Sequence, residues 1–213
     1  MKQRKGLIAI LIIVIAAVLL FLIYQLFRFP TTFRSLSDES LDQEQTARLK
    51  DEIAAKSDKK ALVAYFSYSG TTKGVAETLS SQIGADLFEI APKEEYSNVY
   101  LQSNMEIRRG DRPELSAAVD NMEDYDIVFI GYPVWFHATP APVNSFLESY
   151  DLTGKLIIPF CTSGGSDIDE TMPTFLDSCK GLAVYGQRRI SGDGEISDWL
   201  EKLDLNIAQD ESV

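Results

Sequence analysis

The sequence predicts an α/β layered domain, a parallel sheet covered by helices on both faces, with one apolar helix ahead of it. Three observations carry this prediction. From position 61, short apolar runs alternate with segments of helical spacing. Each run is apolar on both faces, as in a strand sandwiched between two helix layers. Leu7 to Ile23 contains no charge and no strongly polar group.

The elements follow in order. "MKQRKGLIAILIIVIAAVLLFLIYQLFRF" joins a basic head to an apolar stretch. At about 20 residues, or ~30 Å as a helix, the stretch matches a bilayer core. A cleaved signal peptide has a shorter apolar region and a small-x-small site, and "FLIYQLFRFPTTF" offers none. Residues 1–28 therefore read as an uncleaved, single-pass transmembrane signal anchor. The rival readings are a cleaved leader and a buried core helix. Lys2, Arg4 and Lys5 outweigh Arg28 and Arg34, which by a small margin places the N-terminus in the cytoplasm and the domain on the extracytoplasmic side. Residues 29–60 are polar, and Ala47–Ala55 has good helix formers, so this part reads as a partly helical spacer holding the domain off the membrane.

The folded domain is expected over 61–205, with a tail at 206–213. "ALVAYFS" is the first strand, and "TTKGVAETLSSQIG" a helix stopped by Gly84. "ADLFEIAP" is the second strand, and 93–124 holds a helix plus loops. "YDIVFIGYP" is the third strand, and "APVNSFLESYD" a helix with Pro142 in its first turn. "GKLIIPFCTSGG" is the fourth strand, "DIDETMPTFLDSCKG" a helix, "LAVYGQRRIS" the fifth strand and "GEISDWLEKL" the last helix. Alternation of this kind implies right-handed crossovers.

From Ala61 onward there are 10 basic and 25 acidic residues, a net charge of −15. That surface repels phosphate backbones and excludes nucleic acid as a partner. The two cysteines form no CxxC, and no HxxxH spacing exists, so no metal site is predicted. Cys161 ends strand four, and Cys179 ends the next helix, at the opposite edge. A helix of about ten residues rises ~15 Å, and a disulfide needs Cα atoms within ~7 Å, so no bond between them is predicted.

Ligands of such sheets bind beyond the carboxyl ends of the strands, which singles out the loops after strands one, three and four. "SYSGTT" (67–72) sets hydroxyls and backbone N–H groups at a helix N-terminus, suited to an anion. It lacks the lysine of a nucleotide P-loop, and ordinary N-capping by Ser69 or Thr71 is its plainer reading. "GYPVWFHATP" (131–140) puts two large aromatics after a buried strand, either to stack on a flat cofactor or to fold back into the core. "CTSGGS" (161–166) lets backbone approach a ligand through Gly164 and Gly165, or is a flexible turn.

On "FSYSGTTKGVAETL", "YDIVFIGYPVWFHATPAPVNSFLE" and "GKLIIPFCTSGG" the chain resembles the flavodoxin-like family over about 61–200. The resemblance implies a three-layer sandwich with a five-stranded parallel sheet of order 2-1-3-4-5 and non-covalent FMN. It implies that Ser67, Ser69, Gly70, Thr71 and Thr72 hold the FMN phosphate. Pro133, Val134, Trp135 and Phe136 then flank the isoalloxazine, and Thr162, Ser163, Gly164 and Gly165 meet its pyrimidine edge.

Two departures stand out. Single-electron carriers of the family commonly have a glycine after strand three, whose peptide flips towards flavin N5. "YPVWFHATP" has none, so a flip needing positive φ is expected to be costly. The carriers also cover the ring with an aromatic from the third loop, and "CTSGGSD" has none. Both lean towards two-electron exchange with a small acceptor or donor such as a quinone or a nicotinamide. The alternatives are a one-electron carrier of a membrane redox chain and a flavin-less surface interaction domain on the same fold. His137, the one histidine, is a candidate proton donor beside the flavin, or a loop residue with no role. Tyr96 and Tyr100 either wall the pocket or pack locally. Arg108, Arg109 and Arg112 either meet a substrate phosphate or form a solvated patch.

Overall fold

The computed structural model describes residues 2–32 and 34–207. The elements are α1 (Lys2–Arg28), α2 (Gln43–Ala54), β1 (Ala61–Tyr65), α3 (Thr71–Ile83), β2 (Asp86–Glu89), α4 (Val99–Arg109), β3 (Ile127–Pro133), α5 (Ala141–Glu148), β4 (Leu156–Thr162), α6 (Met172–Leu176), β5 (Ala183–Val184), β6 (Arg188–Arg189) and α7 (Gly194–Leu203). The sheet runs β2-β1-β3-β4-β5, and its pairs are parallel. This is the 2-1-3-4-5 order of a flavodoxin-like α/β sandwich.

Strand side chains alternate between two cores, as the pleat requires. Val63, Phe129, Ile158 and Phe160 face one side, with Leu79 of α3 and Trp199 of α7. Leu62, Val128, Ile130 and Ile157 face the other, with Phe146 of α5 and Phe175 of α6. Burial on both faces explains why these strands are apolar without alternation.

Three expectations need correction. First, 29–60 is not a free spacer. It is helical in part, with α2 opened by a capping box between Asp42 and Gln45. But α2 lies on the sheet: Ile53 is 1% exposed, and Leu41 and Leu49 pack beside it. Leu49 and Ile53 share one face of α2, turned to the core, and Leu41 packs there from just ahead of the N-cap.

Second, the fifth strand is broken. β5 and β6 pair with successive parts of β4, Ala183 opposite Leu156 and Arg188 opposite Phe160. Between them Gly186 turns at φ 63°, where an added Cβ would lie 2.2 Å from Leu203 of α7. Its carbonyl accepts from Trp199 Nε1 at 2.8 Å. Close approach of α7 thus takes this stretch of backbone out of the ladder.

Third, the helix expected over 167–181 is short. A 3₁₀ turn at Ile168–Glu170 precedes α6, and the chain then tightens into i→i+3 bonds at Ser178 and Cys179. The Thr174 carbonyl, which a continuing α-helix needs, is taken by Asn144 Nδ2 at 2.7 Å. Cys161 and Cys179 are free, buried thiols in the same core. Of the expected tail, Ile207 packs against the core, and 208–213 lie outside the described residues.

Candidate functional site

The loops after β1, β3 and β4 meet at the carboxyl edge of the sheet. β1 delivers "SYSG" to this edge, and α3 starts there. Gly70 is the N-cap, at φ 90°, and no side chain caps the helix. Ser67 Oγ instead accepts from the Gly70 N–H at 3.2 Å, and Ser69 Oγ lies 3.3 Å from Thr71 Oγ1. Ordinary capping by Ser69 or Thr71 is therefore not how these hydroxyls are used. The first N–H groups of α3 stay available at the positive end of the helix dipole, among hydroxyls, an arrangement suited to an anion. A Cβ added at Gly70 would meet nothing within 4 Å, so the space above it is clear. Lys73 is turned along the helix, its Nζ 3.9 Å from Glu77.

Thr72 behaves differently from its neighbours. It is buried, and its Oγ1 lies 2.8 Å from Thr162 Oγ1 at the end of β4. These two predicted site residues form a clasp that fixes the hydroxyl loop against the glycine loop. Beyond Thr162, Ser163 Oγ accepts from the N–H groups of Gly165 and Ser166 at 3.2 and 2.9 Å. This serine turn holds Gly164 and Gly165 outward, with nothing within 4 Å of either Cβ position.

The β3–α5 loop is a tight turn rather than an open coil. Trp135 N donates to Ala138 O at 3.2 Å, and Ala138 N donates to Trp135 O at 2.9 Å. The two central residues, Phe136 and His137, have φ of 51° and 58°. Positive φ at both centres marks a type I′ turn, usually built with Asn or Gly. The loop thus holds positive φ at two residues that are not glycine, before any peptide flip. The strain of about 1–2 kcal/mol per residue is already present in the fold, and hydrogen bonds and ring contacts hold it.

Trp135 is half-buried, its ring met edge-on by Phe66, Tyr68 and Tyr96 at centroid distances of 5.1, 5.9 and 5.7 Å. Phe136 meets Tyr100 of α4 at 6.0 Å. Tyr68, Val99, Tyr100, Val134, Trp135 and Phe136 line a cavity of ≈ 410 Å³. Of the two tyrosines singled out earlier, Tyr100 walls this cavity. Tyr96 packs locally and donates from its hydroxyl to Glu106 Oε2 at 2.7 Å. Burial, then this carboxylate, pushes the Tyr96 phenol up, and burial pushes up Glu106 as well.

His137 Nδ1 bonds Glu170 Oε2, and the ring stacks on Phe29 at 4.7 Å. The His137 contact, outweighing burial, holds the Glu170 carboxyl below the usual range. An ionised carboxylate only accepts, so Nδ1 carries the proton and Nε2 is the nitrogen left to a bound molecule. Sequence reasoning missed Glu170 and Phe29. Neither sits in a motif, and both reach His137 only through tertiary packing. Cys161 lies near this edge, but burial pushes its thiol up to about 12, so it is no nucleophile.

A profile of the flavodoxin family matches residues 60–203. The chain belongs to the flavodoxin family. Among solved structures it is similar to a protein classed as a flavoprotein from Bacteroides eggerthii, at 35% identity and a TM-score of 0.60, covering 68% of this chain and 98% of that one. A flavoprotein from Lactobacillus acidophilus, solved in complex with FMN, is 28% identical with a TM-score of 0.56, covering 67% of this chain and 99% of that one. No curated protein matches. The flavodoxin match begins at residue 60, so α1 and α2 lie outside it, although α2 packs on the flavodoxin sheet.

Proposed function

We propose that this chain binds FMN at the carboxyl edge of its sheet and acts as a membrane-anchored oxidoreductase. The carrying observation is the convergence of three loops, fastened by the Thr72–Thr162 clasp, around an uncapped helix N-terminus, two outward glycines and an aromatic cavity. The residues fit the group. Ser67, Ser69, Gly70, Thr71 and Thr72 would hold the phosphate with neutral groups, Ser67, Ser69 and Thr71 by their hydroxyls and Thr72 by its N–H, since its hydroxyl is turned to Thr162. Pro133, Val134, Trp135 and Phe136 would flank the ring, and Thr162, Ser163, Gly164 and Gly165 would meet its polar edge. The similarity to a flavoprotein in complex with FMN supports this. FMN, when bound, supplies the redox chemistry, while the protein supplies position and electrostatics.

The partner is a small acceptor or donor, such as a quinone or a nicotinamide, and the exchange is of two electrons. The open space over Gly164 and Gly165, where no aromatic closes the site, favours this over single-electron traffic. His137, held through Nδ1 by Glu170, keeps Nε2 as the atom at which a proton is held or delivered. α1 anchors the chain, since Ile10–Arg28 is long and apolar enough to cross a membrane and is not buried in the fold. The basic residues ahead of it favour an extracytoplasmic domain.

Titration of the full-length chain in detergent with FMN tests the cofactor. Quenched flavin fluorescence and a shifted visible band are expected, and no change at micromolar FMN overturns the proposal. Reductive titration then separates one two-electron step from two resolved steps, the latter indicating a carrier.

A further inference from the structure

α4 carries a stripe of Tyr100, Asn104 and Arg108 at i, i+4 and i+8, on one helix face. Its two ends do different things. Tyr100 walls the aromatic cavity. Asn104 is buried and donates from Nδ2 to Phe27 O at 2.6 Å, and Arg108 donates from Nη2 to Leu26 O at 2.5 Å. Those carbonyls belong to the last turn of α1, where intrahelical partners run out. The end of α1 is thus capped by the domain instead of hanging on a tether. The chain beyond it is fastened too. Phe29 stacks on His137, and Arg34 donates to Ile107 O at 3.3 Å and pairs with Asp177 at 2.6 Å.

This fixes where the site stands relative to α1. Tyr100 lies one turn of α4 from Asn104, ~5.4 Å, and His137 touches the first residue after α1. Around this corner the surface changes character. Tyr100 is 76% exposed and Leu101 47%. Arg28 and Arg109 are exposed, and neither is in an ion pair among the described residues. On a domain otherwise rich in acid, Tyr100, Leu101, Arg28 and Arg109 gather where the apolar helix ends, and the acid that meets this corner, Glu170, is engaged by His137, a pairing that suits an interface with anionic headgroups.

We propose that this corner lies in the headgroup layer and that the aromatic cavity opens to the lipid, so that its redox partner arrives dissolved in the membrane. The inference rests on the anchoring and FMN binding proposed above. With Ile10–Arg28 spanning the ~30 Å hydrocarbon core, Arg28 marks its boundary. Phe29 follows directly, His137 stacks on it at 4.7 Å, and Phe136 next to His137 meets Tyr100 at 6.0 Å, a contact chain that leads from this boundary to the cavity. The partner chemistry is a planar apolar molecule of the quinone class. It gains two electrons and two protons to become the quinol, and the bound cofactor loses the same.

The full chain in phosphatidylcholine–phosphatidylglycerol vesicles tests this. Carbonate washing comes first, and release of the chain overturns both the anchoring and this inference. Nitroxides are then placed at Tyr100→Cys, at Leu101→Cys on the rim, and at Asp198→Cys on the opposite face of the sheet. The native thiols are buried and stay unlabelled. Oxygen is expected to relax the labels at 100 and 101 more than an aqueous nickel chelate does, with the reverse at 198. Aqueous behaviour at 100 and 101 in washed vesicles overturns this inference alone. In a second arm, a long-chain quinone in the lipid oxidises the reduced, FMN-loaded chain. The combined Asn104→Ala and Arg108→Ala variant, which frees the end of α1 without touching the site, is expected to lose that reaction but keep its rate with ferricyanide. An unchanged quinone rate overturns the inference. Failure to load FMN overturns the cofactor reading and, with it, the redox partner inferred here, while the nitroxide arm still decides whether the corner lies at the lipid.

Discussion

Gly131 sits in the middle of β3, with Phe160 of β4 across the ladder. A Cβ there would lie 2.3 Å from Phe160 Cζ, so the ring occupies the space a side chain needs. Gly131→Ala is expected to cost about 1–3 kcal/mol by overpacking, read as a lower urea midpoint with an unchanged slope. The Thr72–Thr162 clasp makes a second prediction. Thr72→Val keeps the shape but removes the partner of a buried hydroxyl, which costs about 1–3 kcal/mol. It also unfastens two loops of the proposed FMN site, so FMN affinity falls with stability, whereas Gly131→Ala moves stability alone. At this scale the sequence was informative about residue type and poor about direction. Thr72 was legible as one of a cluster of hydroxyls because of its neighbours. That it turns inward to Thr162, 90 positions away, has no local signal.

At the scale of elements, periodicity located α3, α5 and α7 well, because each buries one stripe on a sheet. It failed where a distant group decides. Asn144 takes the carbonyl that would extend α6, and α7 pushes Gly186 out of the fifth strand. α2 is the instructive case. Its composition is that of a solvated linker, yet three apolar residues suffice to seat it. Ile53→Ala therefore costs about 2–5 kcal/mol, the range for a buried large-to-small change. A free spacer would show no change in the thermal or urea midpoint. The convergence of the hydroxyl, tryptophan and glycine loops was legible because strand polarity alone sends them to one edge. The I′ turn at Phe136–His137 was not, since its residues are atypical of such turns.

For the whole molecule, acid sensitivity follows from carboxylates used as structural acceptors. Burial alone would raise Asp126, but hydrogen bonds from Lys56 and from the Lys60 N–H outweigh it and hold the carboxyl low. Glu148 is likewise held low, with Arg112 and Ser178 outweighing burial. Both are depressed in the fold, so their stabilisation is complete above about pH 4–5, where the unfolded groups are ionised. It is lost as pH falls through the folded values. Urea midpoints are expected to drop on acidification across that window, and Asp126→Asn should flatten part of the drop.

The seating of the N-terminal segment has one more consequence. Gly181 N donates to Glu39 O at 2.8 Å, and Leu41 N donates to Leu182 O at 2.9 Å, immediately before β5. β5 is the last strand of the ladder, and α2 lies against β4 and β5. The segment between the apolar helix and the flavodoxin domain is therefore a cover over a sheet margin that would otherwise recruit another chain. Cleavage that removes residues up to Ala54 should leave a folded sheet with a sticky border. Its sedimentation should depend on concentration, while the intact chain in the same detergent stays of one size.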